Sequence, residues 1–393
     1  MRLRDSNLFK FFIFVLIPLI VLIICGMNST NYYAGLVHLF GINIILVASL
    51  NLVNGFSGMF SMGHAAFMAI GAYASALLTL ETNQKMTSMS GLPEWLMNLT
   101  LPFPIALLIG GFIASFCALI VGFPVLRFKG HYLAVATIGF IVIVRAVLDN
   151  EDQWTNGARG VTGLPNYAST WIIFASAILC LFILHRLLNS AYGRSLIAMR
   201  DDYVAAQTLG INLTVCKISS FCISAFMAGV AGGLWGHMQS VISGKFFYIE
   251  ASFKIVETSI IGGMASLSGA IVGSLIMTFI PELLAPLETG ITVFGIQLPE
   301  LYGASNLILA ALLILIIIYR RQGIMGYNEI ITDSLFSIKT YTSILKKSEY
   351  INLYTILINM PKKLISTFAA ASKTDAVKNK KRKERRSKNE KNS

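Results

Sequence analysis

Long apolar runs separated by short polar islands dominate the chain, near residues 9–27, 34–53, 60–80, 102–125, 132–148, 169–188, 217–239, 253–263, 270–284 and 302–319. Most are close to the length a helix needs to cross the hydrocarbon layer, about 20 residues, whereas the eighth is too short to cross alone. The pattern predicts an all-α polytopic membrane protein with about 8–10 transmembrane helices, some of them broken or re-entrant. Three islands are basic, at Arg127/Lys129, Arg194/Arg200 and Arg320/Arg321, and one is acidic, Asp149-Asn150-Glu151-Asp152. Short basic loops stay on the cytoplasmic side, which puts the three basic islands inside and the acidic one outside. Arg2, Arg4 and Lys10 precede the first run, Phe11 to Ile24, and no small-x-small cleavage site follows it. It therefore reads as an uncleaved first helix, giving a multi-pass protein of the plasma (inner) membrane with both termini cytoplasmic.

The largest polar island, residues 190–216, has the pattern of two short helices. The first is expected over Arg194 to Met199. The second is opened by Asp201 or Asp202 as N-cap and closed by Gly210 in the left-handed conformation past its C-terminus. Small side chains at Ala205 and Ala206 permit close approach of another surface, and Arg194, Arg200 and Lys217 hold the island at the cytoplasmic face. An ordered, small-residue loop in that place has the character of a docking knob, with an ordinary amphipathic loop helix as the plainer alternative.

Two glycine-rich stretches interrupt the apolar pattern. One runs from Asn54 through Gly55, Ser57, Gly58, Ser61, Gly63 and His64 to Tyr73; the other runs from Gly262-Gly263 to Gly273. Irregular backbone at membrane depth persists only where it is buried in protein or lines water. Both stretches are therefore sites of tight helix packing or parts of a translocation pathway. Gly269 and Gly273 have the small-x-x-x-small spacing of a helix contact.

Composition agrees with this class: 393 residues, 55% hydrophobic, 13% charged, mean hydropathy +0.69. The net charge of +12 is concentrated in the tail, where residues 373–391 carry ten Lys/Arg against Asp375, Glu384 and Glu390. Four segments result: an N-terminal transmembrane helix and its flanks (1–33), a polytopic core containing the 190–216 loop (34–328), an amphipathic linker (329–371) and a basic disordered cytoplasmic tail (372–393). The tail reads as solvated, with contact to anionic lipid or nucleic acid as alternatives, and no nucleic acid is expected as a partner. Five cysteines and five histidines are scattered without ligand or triad spacing. No metal, no cofactor and no catalytic residue is expected.

The motifs carry a resemblance beyond composition. Gly55-Phe56-Ser57-Gly58, Ser61-x-Gly63-His64-Ala65-Ala66-Phe67 and Gly71-Ala72-Tyr73 resemble the signature of the branched-chain amino acid ABC transporter permease family. So do Phe123-Pro124-Val125-Leu126-Arg127-x-Lys129-Gly130, Gly139-Phe140 with Arg145, Arg200-Asp201-Asp202 with Leu209-Gly210-Ile211, Ile261-Gly262-Gly263 and Arg321-Gln322-Gly323. Within the family the chain is most similar to the second, longer permease. The resemblance implies a subunit without catalytic residues of its own, pairing with a second, related permease in the bilayer. Two cytoplasmic ATPases would dock on Arg200, Asp201, Asp202, Ala205, Ala206, Leu209 and Gly210, and an extracytoplasmic binding protein would deliver leucine, isoleucine or valine. Other apolar amino acids, urea, short amides or another small solute, or an ion-coupled carrier or channel, are the alternatives.

Departures from the family pattern fall at Val204, His131 and Val142, each where the family has an acid, and at Lys254 and Glu257 in a stretch expected to be apolar. Arg145 thereby loses the family's acid one turn before it. One expectation is that Glu257 replaces that acid at the outer mouth of the pathway. The other is that Glu257 pairs with Lys254 while Arg145 turns to external water or to Asp149.

Overall fold

A computed structural model describes residues 31–326, apart from 90, 128–130, 290–291, 294–295, 298–302 and 321. The expected first helix at 9–27, the linker 329–371 and the tail 372–393 lie outside the described residues.

Fourteen α-helices are described: α1 (Asn31–Asn51), α2 (His64–Thr79), α3 (Thr82–Ser88), α4 (Glu94–Met97), α5 (Phe103–Val125), α6 (His131–Asn150), α7 (Asp152–Thr155), α8 (Thr170–Leu188), α9 (Ala191–Asp201), α10 (Tyr203–Thr208), α11 (Leu213–Gln239), α12 (Ile249–Gly262), α13 (Leu267–Thr289) and α14 (Ala304–Tyr319). Two pairs of two-residue strands are the sheet structure among the described residues. Six stretches there are long and apolar enough to cross a membrane, α1 with the turn that follows it, α5, α6, α8, α11 and most of α13, while α2 and α14 are shorter apolar helices. The fold is all-α and polytopic, as the hydropathy predicts.

At the centre, α11 packs on α2 and α5. Glycine sets how close they come: a Cβ on Gly71 would lie 2.3 Å from the Cα of Gly229, and one on Gly229 would lie 3.1 Å from the Cα of Gly111. Small residues replace hydrophobic burial as the organising device, because lipid competes equally well for apolar side chains. The enclosed α1 fills the space between α8, α11, α12 and α13, whereas α6 is less enclosed.

The helices deliver their polar connections to two ends. One end gathers Arg127, the α9–α10 pair and the turn after α14. The other gathers α3, α4, α7 and the antiparallel pair Val161↔Ile242. At that second end Lys85 is buried and donates to the carbonyls of Leu96 (3.1 Å) and Leu99 (2.6 Å). Burial pushes its pKa below the ordinary lysine value.

α12 and α13 form a hairpin. It starts near the second end at Tyr248, turns at residues 263–266 and returns, which fits the short eighth apolar run. A Cβ on Gly262 would meet the carbonyl oxygen of Gly269 at 2.0 Å, and one on Gly273 would meet that of Thr258 at 2.3 Å. The expected small-residue contact thus joins the two arms of the hairpin.

Candidate functional site

The polar island at 190–216 folds as a pair of capped helices. Ser190 accepts from the backbone N–H of Gly193 at 3.3 Å, so α9 begins at Ala191, three residues before the expected start. Asp202 is the N-cap of α10, its Oδ1 accepting from Val204 (2.9 Å) and Ala205 (3.0 Å). At the other end Gly210 has φ 80°, with Ile211 N–H bonded to Ala206 O (3.2 Å) and Gly210 N–H to Gln207 O (3.0 Å). That hydrogen-bond pair is a Schellman closure. Val204 and Leu209 stand 68% and 79% exposed, which gives the knob an apolar crown. The two alanines divide: Ala205 is exposed, and Ala206 is buried as the seat of α10 on the protein. Below the pair, Tyr192 donates its hydroxyl to the carbonyl of Cys216 at 3.1 Å.

Both glycine-rich stretches are breaks in helices. After α1 the chain widens into a π-helical turn, Leu52–Phe56, and leaves helical geometry until His64, with Gly58 at φ 69°. Asn54 bridges this gap as a backbone mimic, its Nδ2 donating to Ser61 O (3.0 Å) and its Oδ1 accepting from Ser61 N–H (2.9 Å). Ser57 donates to Val53 O at 2.7 Å, and Gly63 N–H donates to the hydroxyl of Ser61 at 3.3 Å. The second break follows α12, where Gly263 takes φ 121°. The carbonyls freed there are caught from two sides. Asn51 donates to Gly263 O (3.3 Å) and Ser266 O (3.0 Å), while Ile324 and Met325 N–H reach Ile261 O (3.0 Å) and Gly262 O (3.1 Å). Such satisfaction is what non-helical backbone requires at membrane depth.

The two breaks touch each other, and the knob touches both through the first. A Cβ on Gly55 would fall 1.5 Å from the carbonyl oxygen of Met264, so only glycine fits. Arg200, in the last turn of α9, donates from Nη1 to Gly55 O at 3.3 Å, and its side chain lies over Gly58, 2.8 Å from where a Cβ would stand. Arg200 also pairs with Asp201 at 2.8 Å.

The described residues also enclose a cavity of about 530 Å³ beside the hairpin, between α1, α12, α13 and α14. Lys245, Glu250 and Lys254 line it with Asn43, Thr258 and Thr278, and Asn43 donates to Thr278 Oγ1 at 3.0 Å. The volume suits a small solute.

The family described as "Branched-chain amino acid transport system / permease component" matches residues 32–319. The chain belongs to this family. Among the relatives of this permease component is the high-affinity branched-chain amino acid transport system permease protein LivM of Escherichia coli K12. It is 30% identical over 318 residues, covering 72% of this chain and 68% of the relative. The probable LivM of Methanocaldococcus jannaschii is 23% identical over 324 residues, 75% of this chain and 94% of the relative. LivH of Escherichia coli K12 is 26% identical over 307 residues, covering 73% and 92%. No solved structure matches the chain.

Within this permease the predicted pathway residues separate into groups. Gly55, Ser57, Ser61, Gly63, Gly262 and Gly263 are buried at the breaks, Gly58 is exposed beneath Arg200, and none of them lines the 530 Å³ cavity. His64 is fully buried, its Nε2 within 3.1 Å of the Ser49 hydroxyl and 3.0 Å of that of Ser224. It clamps α1, α2 and α11 together.

The pairing of Arg145 with Glu257 does not form. Arg145 Nε lies 3.2 Å from Asp149 Oδ2, and its guanidinium lies 4.1 Å from the centre of the Tyr248 ring. The reason is local: α6 continues to Asn150, which places Asp149 on the same face one turn on and needs no second helix. Sequence reasoning missed Asn51 and Asn54 as the clamps of the breaks, Ser190 as a cap, and Lys245 as a cavity wall. The legible signal for the first two was an asparagine inside an apolar run.

Proposed function

We propose that the chain is the permease subunit of an ATP-binding-cassette importer for branched-chain amino acids, pairing with a second, related permease. Two cytoplasmic ATPases dock on the α9–α10 knob, and an extracytoplasmic binding protein delivers solute at the opposite end. The knob end, with Arg127, Arg194 and Arg200, faces the cytoplasm together with both termini. Residues 34–328 act as the permease core.

The observation that carries this reading is the seat of the knob. An exposed, apolar-crowned helix pair rests by Arg200 on a break in a membrane helix, and that break abuts a second one. A push on α9 therefore reaches the π-helical turn at the first break, through rigid packed elements. A passive channel has no use for such a knob, and an ion-coupled carrier would need more acids within the spans. The cavity, with cationic and acidic side chains on apolar walls, has the chemistry to hold a zwitterionic amino acid with an apolar side chain.

Reconstitution with its partner subunits tests the reading. ATP-dependent uptake of labelled leucine, competed by isoleucine and valine and not by urea, is the expected result. Uptake that proceeds without ATP, or urea uptake with no leucine uptake, would overturn it.

A further inference from the structure

At the knob end, a cavity of about 320 Å³ lies between the end of α5 and the start of α11. Arg127 and Lys217 line it, and no residue among its described lining is acidic. Each cation leans on an aromatic ring of the same cavity, Arg127 at 4.9 Å from the Phe123 centroid and Lys217 at 5.0 Å from that of Tyr203. Leu213 and Ile218 give the rest of the wall an apolar character. The cavity thus offers two positive charges on an otherwise greasy surface, at the level where two long apolar helices give way to polar chain. Leading to it along α5 is an exposed apolar face, Phe112, Phe116, Ile120 and Phe123, each more than half exposed.

We propose that this cavity holds the phosphate headgroup of an anionic phospholipid, whose acyl chains lie along the exposed face of α5. The two cations meet the phosphate charge, and basic pockets between helices at a membrane face are a recurring solution for such headgroups. The apolar wall favours a lipid over a soluble phosphate, which would leave the exposed ring of Phe123 with nothing to cover it. Tyr203 belongs to α10, so an occupied cavity steadies the knob from below. The inference does not depend on which solute the permease carries.

A tryptophan introduced as Phe123→Trp reports on the cavity, since the four native tryptophans, Trp95, Trp154, Trp171 and Trp235, belong to the opposite end. The full chain carrying it is placed in phosphatidylcholine nanodiscs, and its fluorescence is quenched with brominated phosphatidylglycerol or brominated phosphatidylcholine. At a salt concentration that screens diffuse attraction to the basic tail, the added tryptophan is expected to prefer phosphatidylglycerol on the order of tenfold. Arg127→Gln with Lys217→Gln should bring that preference to about one, while Lys245→Gln, at the other end, leaves it unchanged. Equal quenching by the two lipids in the Phe123→Trp protein would overturn the proposal without recourse to the double variant. So would a preference that survives the double substitution. Displacement of the brominated lipid by inorganic phosphate would replace the lipid site with a site for free phosphate.

Discussion

The knob and the paired breaks use glycine for opposite ends. Around Gly210 nothing lies within 4 Å of where a Cβ would stand, and the residue is needed for φ 80° alone. Gly55 has no positive φ to require glycine, and the Met264 carbonyl fills the place of a side chain. One glycine aims an exposed element; the other lets two stretches of bare backbone lie against each other. The difference separates stability from coupling: substitution at the breaks should damage the fold, and substitution at the knob should damage transport while the fold persists.

The largest effect is expected at the breaks. Gly55→Ala forces the Met264 turn away and should destabilise the purified protein by about 3 kcal/mol or more, read as a loss of folded yield or a large drop in melting temperature. A normal melting temperature would break the comparison at once. Next, Asn51→Ala removes the donor to Gly263 and Ser266 and leaves buried carbonyls unpaired. A cost of about 2 kcal/mol in the same melt is expected.

Gly210→Val should cost about 1–2 kcal/mol, confined to the α10 turn, because the left-handed conformation tolerates a β-branched residue poorly. Its expected signature is a melting temperature near that of the parent with uptake lost in the reconstituted complex. Global destabilisation equal to that of Gly55→Ala would erase the distinction.

The smallest effect concerns Arg145. A double-mutant cycle in thermal stability should give about 0.5 kcal/mol of coupling between Arg145 and Asp149, and none between Arg145 and Glu257. Coupling to Glu257 and none to Asp149 would contradict the pairing seen in the structure.

Much of the fold was legible because lipid imposes it. The apolar run at 102–125 became Phe103–Val125, and the run at 169–188 became Thr170–Leu188. The knob was legible for local reasons, since Asp202 and Gly210 carry their capping roles in their own chemistry. Glycine also marked where the helices break. What could not be read was that the breaks meet: Gly55 and Met264 are far apart in sequence, and no period or cap records their contact. Of the partners that the sequence left open for Arg145, the structure shows Asp149. The apolar run ends near residue 148, yet α6 continues two residues further and brings Asp149 onto the same face. Hydropathy marks where lipid stops, and a helix is free to continue past that point.

In the proposed coupling, Arg200 carries the movement of the knob into the breaks. Its most direct test is Arg200→Ala in the reconstituted importer, with ATP hydrolysis and leucine uptake measured in the same vesicles. Loss of the charge-assisted bond to the Gly55 carbonyl predicts that uptake falls about tenfold or more while hydrolysis continues. Uptake and hydrolysis that both stay at the parental level would contradict the account.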